Sequence, residues 1–466
     1  MMLLPRFPQE VIDMIIDHLY LDRATLSACS TTCHSFLSPA RFHLFETINL
    51  DLRTTWRYKA SFTNDPQDNS AVGMLRSFVQ FLENTPSIST YIQTLVIYGD
   101  RCTSYSYSVA RQELFTLTLQ ILYMVIGKLP TLKALSLRRV VLEARTPGPM
   151  KPDYPPFRSR NMRSLRLHDI RILESGDKKS TRRGLLYVLG LFRRIDSVNI
   201  ANVITERHSE MSDNDAAADD PSLVFEQDIG SSNRLHINTL RQSYDESDLP
   251  FSHLFQSSIA DDSLVHLIIY DLSLGSASAL HELISRQCNS LSSIRIDSEQ
   301  LTYSPQQING RFNFTAIDLQ KHQCLSSVCL QIALTTKASQ LDGVINMQSL
   351  YTAYVFRDFL SVLPPNVSEI SLHVILRAFN RSSQVPVSLE SQLCAGWPWP
   401  EIELPLRKLA NLQRFRVLYR AKQFSVMKRI DTKLQTKVLY EAFGSLRPLN
   451  GKLSVGVLSM DQYADL

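Results

Sequence analysis

Some residue groups in this chain have types and spacings that could support chemistry, but each lacks a required member. His281 and Glu282 begin like a zinc-peptidase helix, in which a second histidine three residues after the glutamate shares the helix face. Ser285 occupies that position, so one zinc ligand is missing. Glycine-rich phosphate loops and the G-x-S-x-G nucleophile turn do not occur in the sequence. The sequence therefore predicts a non-enzyme without metal ion or cofactor.

The cysteines give no sign of a zinc site or of a disulfide framework. Cys29 and Cys33 are one helical turn apart, and Cys324 and Cys329 are five residues apart, so neither pair has the short spacing of a structural zinc site. We interpret all four as small core residues. Seven cysteines scattered along the chain indicate reduced thiols and an intracellular protein.

Two further groups suggest binding and not catalysis. The basic residues Lys178-Lys179, Arg182-Arg183 and Arg193-Arg194 could meet phosphate or an acidic partner, although a solvated helix face is the interpretation we favour. Trp397-Pro398-Trp399-Pro400 could form an exposed binding hot spot, or it could pack under the end of the fold, which we favour.

Composition limits the class of protein that must position these residues. The chain has 466 residues, 44% of them hydrophobic and 20% charged, which predicts a folded protein of several units or one solenoid. A formal charge of +4 is too small to predict a nucleic-acid or membrane surface. The most apolar stretch, Leu114 to Ile126, is too short to span a bilayer, and the N-terminus lacks the basic leader of a signal peptide. We expect a cytoplasmic or nuclear protein.

The first fifty residues predict three short helices followed by a strand. Pro8 suits a first helical turn, and apolar residues then recur at helical spacing from Val11 to Leu19. Asp22 predicts the N-cap of a second helix, with Leu21 and Leu26 placed for a hydrophobic staple. Leu26, Cys29, Cys33 and Phe36 should then share one side of that helix, Ser38-Pro39 should open a third helix, and the alternation Ile48, Leu50, Leu52 predicts a strand.

This segment resembles an F-box, in the variant common in fungal proteins. The resemblance lies in FPQEVIDMIIDHL, then D..TL.ACS..C.SF, then S.ARFHLF. Phe7 replaces the leucine that opens the family pattern, and Phe36 stands where a tryptophan is common, so both departures keep a large apolar group. The resemblance implies docking onto the Skp adaptor of a Skp–cullin–F-box ubiquitin ligase. The docking residues it implies are Phe7, Pro8, Val11, Ile12, Ile15, Leu26, Cys33 and Phe36, some of which must instead form the core of so small a module.

The remaining chain repeats one pattern, an apolar-alternating strand followed by a helical stretch. The strand phrases are IQTLVIYGD, LPTLKALSLRRVVL, NMRSLRLHDIRI, RIDSVNIANVI, SLVHLIIYDLSL, SLSSIRIDSEQL, CLSSVCLQIAL, NVSEISLHVIL and LANLQRFRVLY. Helical stretches are predicted around Met74–Leu82, Leu114–Ile126, Leu185–Phe192, Leu280–Ile284, Tyr351–Leu360 and Leu434–Phe443. Alternating strands and helices predict parallel strands joined by helical crossovers.

These observations predict an α/β fold with a three-helix module followed by an irregular leucine-rich-repeat-like solenoid. A closed or doubly wound α/β domain is the alternative. We expect the helical module at 1–49, a connecting strand and helix at 50–89 and the repeats at 90–466. Within the repeats we expect a mobile acidic insertion at about 205–228, and an extended proline-rich loop at 146–157.

The predicted function is that of an adaptor. The N-terminal helices would hold the Skp adaptor, and through it a cullin ligase, while the repeats recruit an unidentified client protein for ubiquitin-dependent degradation. A scaffold whose F-box-like helices only cap its own repeats is the alternative. Neither hypothesis involves nucleic acid or a membrane.

Overall fold

The computed structural model describes residues 7–52, 71–99, 116–143, 161–173, 185, 188–206, 234–243, 255, 258–270, 277–297, 314, 317–336, 344–378, 399–421 and 453–457. The chain divides into two compact units, Met1–Val224 and Phe225–Leu466. Both belong to the α/β class, because each combines helices with a sheet of parallel strands.

Three helices open the first unit: α1 Gln9–His18, α2 Arg23–Thr32 and α3 His34–Phe45. The predicted cap of α2 is confirmed, because an Asp22 carboxylate oxygen accepts a hydrogen bond from the Thr25 amide at 3.0 Å. A hydrogen bond from the Thr25 hydroxyl lowers the pKa of Asp22, and the bond from the Thr25 amide adds a smaller effect in the same direction. The hydrophobic staple is wrong, because Leu21 is 81% exposed while Leu26 is fully buried.

The boundary between α2 and α3 differs from the prediction. Cys33 adopts an extended conformation between the two helices, so Leu26 and Phe36 lie on different helices and not along one. Pro39 lies inside α3 and does not open it. Proline lacks the amide that would bind the carbonyl four residues earlier, that of Ser35. The Gln9 side-chain amide donates to this Ser35 carbonyl instead, at 3.1 Å, which joins α1 to α3.

The remaining elements of the first unit form a sheet with helical connections. They are β1 Thr47–Asp51, α4 Ala71–Asn84, α5 Pro86–Ser89, β2 Thr94–Tyr98, β3 Thr116–Thr118, α6 Leu119–Gly127, β4 Ala134–Arg138, β5 Val141–Glu143, β6 Asn161–Leu173 and β7 Arg194–Glu206. The strands pair in the order β1-β2-β4-β6-β7, and β5 pairs with both β3 and β6. The sheet therefore begins at Thr47, immediately after α3.

The second unit repeats this arrangement. Its elements are β8 His236–Gln242, β9 His266–Ile269, α7 Ala277–Ser285, β10 Ser293–Asp297, the 3₁₀ turn Leu319–Lys321, β11 Ser327–Thr336, α8 Val344–Ser361, β12 Glu369–Ala378, α9 Trp399–Arg407, β13 Arg414–Ala421 and β14 Leu453–Val457. Each strand from β8 to β14 pairs in parallel with the next one along the chain. The main strand order thus follows the chain within each unit, without the reversal typical of a doubly wound sheet.

Every strand phrase of the sequence coincides with a parallel strand, which confirms the predicted parallel pairing. Described helices connect β1 to β2, β2 to β4, β9 to β10, β11 to β12 and β12 to β13. The predicted helix at Leu114–Ile126 begins later, at Leu119, because Thr116–Thr118 forms β3 and Thr118 caps the helix. Several predicted segments lie outside the described residues. They are the proline-rich loop, nearly all of the acidic insertion, Lys178 to Arg183, Leu434 to Phe443 and Trp397-Pro398. Thr205 and Glu206, assigned to the insertion, are the end of β7.

A repeated hydrogen-bond arrangement joins successive strands at their starts. In the second unit, the Ser292 carbonyl accepts the amides of Ser326 and Ser327, and the Ser326 carbonyl accepts those of Ser368 and Glu369. The hydroxyls of Ser326 and Ser368 also donate to these same two carbonyls, at 3.2 and 3.1 Å. Successive strands therefore stack in one fixed register.

One face of the sheet in the second unit carries a buried polar cluster. The Arg295 guanidinium donates to the side-chain oxygen Oε1 of Gln331 at 3.1 Å, and the side-chain Nε2 of Gln331 donates to the Asp297 carboxylate. His373, on the neighbouring strand β12, is buried, and burial and then the positive charge of Arg295 lower its pKa to about 4. His373 is therefore neutral in the folded protein at neutral pH.

The cysteine prediction is correct only in part. Cys29 packs against the core of the helical module, and burial raises the pKa of the Cys329 thiol to about 12. Cys33 and Cys324 are exposed, so they are not core residues. Among the described residues, no three histidine, cysteine or acidic side chains cluster as metal ligands would.

Candidate partner-binding surface on the N-terminal helices

The three N-terminal helices bury a small common core. Ile16 of α1, Leu26 of α2 and Ala40 of α3 are buried in it, at 0–1% exposure. Ile12, Leu19, Cys29, Phe36 and Leu44 pack around these three and are partly buried. The buried residues of α1 recur every three or four positions, so one face of this helix is used by the module itself.

A second face of α1 is apolar and exposed. Phe7, just before the helix, is 72% exposed, and Val11, Met14 and Ile15 are 37%, 61% and 54% exposed. Val11, Met14 and Ile15 follow the spacing i, i+3, i+4, which places them along one side of α1, and Phe7 lies just before the Pro8 cap of this helix. We call these four residues the α1 stripe. Contiguous exposed apolar surface of this kind marks interaction sites in soluble proteins.

The apolar surface continues beyond the end of α1. Tyr20 and Leu21, in the turn between α1 and α2, are also largely exposed. Among the described residues, the other large exposed hydrophobic side chains are Phe81 and Leu404, on α4 and α9. The exposed apolar residues are therefore concentrated at the N-terminal helices and not scattered over the molecule.

Polar contacts hold the stripe-bearing helix against α3. His43 of α3 contacts Asp17 of α1, with its Nε2 atom 2.7 Å from the carboxylate. The Gln9 side-chain amide bonds Asp13 as well as the Ser35 carbonyl. These contacts lie at both ends of α1, so the helix presents its exposed face on a fixed frame.

The structure sorts the residues that the sequence assigned to docking. Phe7, Pro8, Val11, Ile15 and Cys33 are exposed, Ile12 and Phe36 are partly buried against the core, and Leu26 is fully buried. Leu26 is thus one of the residues that form the core of the module, and its side chain cannot contact a partner without repacking. Sequence reasoning missed Met14, Tyr20 and Leu21; the helical spacing from Val11 could have identified Met14.

Searches for relatives match this chain to no protein-family model and to no curated protein. Within the part of the chain that the structure describes, no helix is both long and apolar enough to cross a bilayer.

Proposed function

We propose that this protein is the client-recruiting subunit of a Skp–cullin–F-box ubiquitin ligase. Its N-terminal helices would bind the Skp adaptor through the α1 stripe, and its strands would bind the client. The observation that supports this proposal best is that the stripe stays exposed although the module has a filled core of its own. The resemblance of these same residues to an F-box supplies the identity of the partner.

Covering the α1 stripe would give a favourable apolar contribution to docking. Covering its large apolar side chains would contribute about 5–10 kcal/mol before costs, since burying one such chain contributes about 1.5–3 kcal/mol. Ordering and desolvation reduce this value.

The strands would form an irregular leucine-rich-repeat-like solenoid. In support, the described strands pair in parallel, the main strand order follows the chain within each unit, and equivalent carbonyls join several successive strands. Such a surface performs no chemistry in our proposal; it raises the concentration of a client near the ligase. The complex would work in the cytoplasm or nucleus, where its partners are.

The alternative is a scaffold whose helices only cap the repeats. The Glu46 carbonyl, at the end of α3, does accept the amides of Gln93 and Thr94 at 2.9 Å, so the module is attached to the first strands. A cap would use its apolar surface in that attachment, however, and the α1 stripe is left uncovered.

Co-purification tests the proposal with the full chain. We expect tagged protein carrying Pro8→Ala with Ile15→Asp to lose the co-expressed Skp adaptor, because a carboxylate would be buried without a partner in the interface. Leu404→Asp is the matched control, since this leucine is 64% exposed on α9, outside the module. Undiminished recovery of the adaptor with the double variant would refute the docking surface.

A further inference from the structure

Two arginines lie next to each other on the polar face of the first sheet. Residues alternate between the faces of a strand, and the apolar face of β4 and β6 is buried through Leu135, Leu137, Leu165 and Leu167. Arg138 and Arg166 lie on the other face, half-buried and exposed respectively. In the register, Arg166 pairs with Ser136 and His168 with Arg138, so the two arginines are diagonal neighbours, about 8 Å apart at Cα.

Among the described residues, no carboxylate lies directly opposite either arginine, and Asp51, in the same row, is two strands away from Arg138. Like charges directly opposite each other destabilise a sheet, and diagonal neighbours are still close enough for long side chains to interact. Between β2 and β7, the polar-face positions in register with these arginines carry no carboxylate. The carboxylate of Asp169, the next residue after His168, is already hydrogen-bonded. Its two oxygens lie 2.9 Å from His168 Nδ1 and from Asn202 Nδ2. Neither Arg138 nor Arg166 forms a salt bridge with any described residue.

The surrounding side chains orient the arginines. The Arg138 guanidinium lies over the Tyr98 ring, 5.4 Å from its centroid, and its Nε donates to the Ser136 hydroxyl at 3.3 Å. Asn199 of β7, directly opposite Arg166, adds a half-exposed amide to the same row. Two oriented guanidinium groups can form charge-assisted hydrogen bonds with carboxylates.

We infer that the polar face around Arg138 and Arg166 binds an acidic segment of a partner protein, through paired contacts with aspartate or glutamate carboxylates. Tyr98 and Asn199 contact the chain between those carboxylates. The charge of the face selects an acidic partner. A nucleic acid is not favoured, because this row offers a single aromatic side chain for stacking. The inference rests on the proposed function in one respect: the acidic segment belongs to the client.

Fluorescence polarisation with the full chain tests this inference. The probes are a labelled peptide of alternating glutamate and serine, its glutamine counterpart, and that glutamine peptide with phosphoserine. We expect the glutamate peptide to bind and its glutamine counterpart not to bind, and Arg138→Gln with Arg166→Gln to weaken binding of the glutamate peptide at least about tenfold, because charge-assisted bonds are lost. Arg76→Gln, on α4, is the control for a lost exposed arginine and should bind as the parent does.

Three results would overturn the inference: equal affinity of the double variant and Arg76→Gln, equal binding of the glutamine peptide, or binding of the phosphoserine peptide alone. Circular dichroism checks that each variant is folded. Arg138→Lys with Arg166→Lys should bind more tightly than the glutamine pair because it keeps both charges, and more weakly than the parent because it loses the paired guanidinium contacts. The same proteins are titrated with the Skp adaptor. Adaptor binding should be unchanged in the Arg138/Arg166 variants, so a failed client site and a failed docking surface give different results.

Discussion

Adjacent residues of the N-terminal helices have different roles because their side chains point in different directions. Ile15 and Ile16 are consecutive on α1, yet Ile15 is exposed and Ile16 is buried with Leu26. A helix turns by about 100° per residue, so consecutive side chains face different surroundings. Substitutions at these positions should therefore separate folding from binding.

We expect Leu26→Ala to destabilise the helical module by about 2–5 kcal/mol, because it leaves a cavity at the centre of a small core. Ile15→Ala should change the free energy of unfolding by less than about 0.5 kcal/mol. Urea unfolding followed by circular dichroism measures both. Similar losses for the two variants would show that Ile15 also belongs to the core.

His373 gives a prediction of pH dependence. The folded protein holds its pKa at about 4, whereas the unfolded chain titrates near 6.5. Between these values the unfolded state binds more protons, so this group should lower stability by about 3 kcal/mol as the pH falls from 6.5 to 4, and by nothing above 6.5. We expect His373→Gln to flatten the stability profile in that window. Parallel profiles for parent and variant would contradict this assignment.

At the level of single elements, α3 tolerates an internal proline because another helix supplies the missing donor. The Gln9 side chain donates to the Ser35 carbonyl that the ring of Pro39 leaves without its helical amide. We expect Gln9→Ala to cost about 1 kcal/mol. In a Pro39→Ala background the cost should shrink, because the substituted residue regains a backbone amide that can serve the Ser35 carbonyl.

A double-mutant cycle measured by urea unfolding checks this coupling. Additive losses would show that Gln9 and Pro39 act independently. The control is Asp22→Ala, which should cost about 1 kcal/mol through the lost α2 cap and should add to either variant.

The sequence predicted elements where burial and periodicity agree. The phrase around β12 alternates apolar and polar residues from Ile370 to Val374, and it is a strand in the structure. β8, HINTLRQ, was missed because only Ile237 and Leu240 are buried in it, three positions apart, which breaks the period of two. The ends of helices were less predictable. Apolar residues continue at helical spacing to Phe36, yet α2 ends at Thr32, because the packing of α3 requires a turn at Cys33.

Of the candidate surface, the sequence predicted most members but not their division between core and exterior. Phe7, Val11, Ile15 and Leu26 are all apolar at helical spacing, and only packing decides that Leu26 faces inward. The Arg138 and Arg166 pair could not be found from sequence, because the two are 28 positions apart and their proximity depends on strand register.

For the molecule as a whole, an adaptor needs its docking surface held firmly against its first strands. The Glu46 carbonyl accepts the Gln93 and Thr94 amides, and the Gln93 carbonyl accepts those of Lys133 and Ala134 in the same way. We expect hydrogen exchange of Gln93 and Thr94 to be as slow as that of Lys133 and Ala134. Much faster exchange at Gln93 and Thr94 would indicate a module that detaches from the sheet.

The central claim is that the α1 stripe is surface reserved for the Skp adaptor. Calorimetric titration of the purified full chain with that adaptor tests it most directly, comparing the parent, Ile15→Asp and Leu404→Asp. Our account predicts saturable binding by the parent and by Leu404→Asp, and a loss of at least about a hundredfold in affinity for Ile15→Asp, since a buried unpaired carboxylate costs several kcal/mol. Equal affinities for all three proteins, or no binding by the parent, would contradict it.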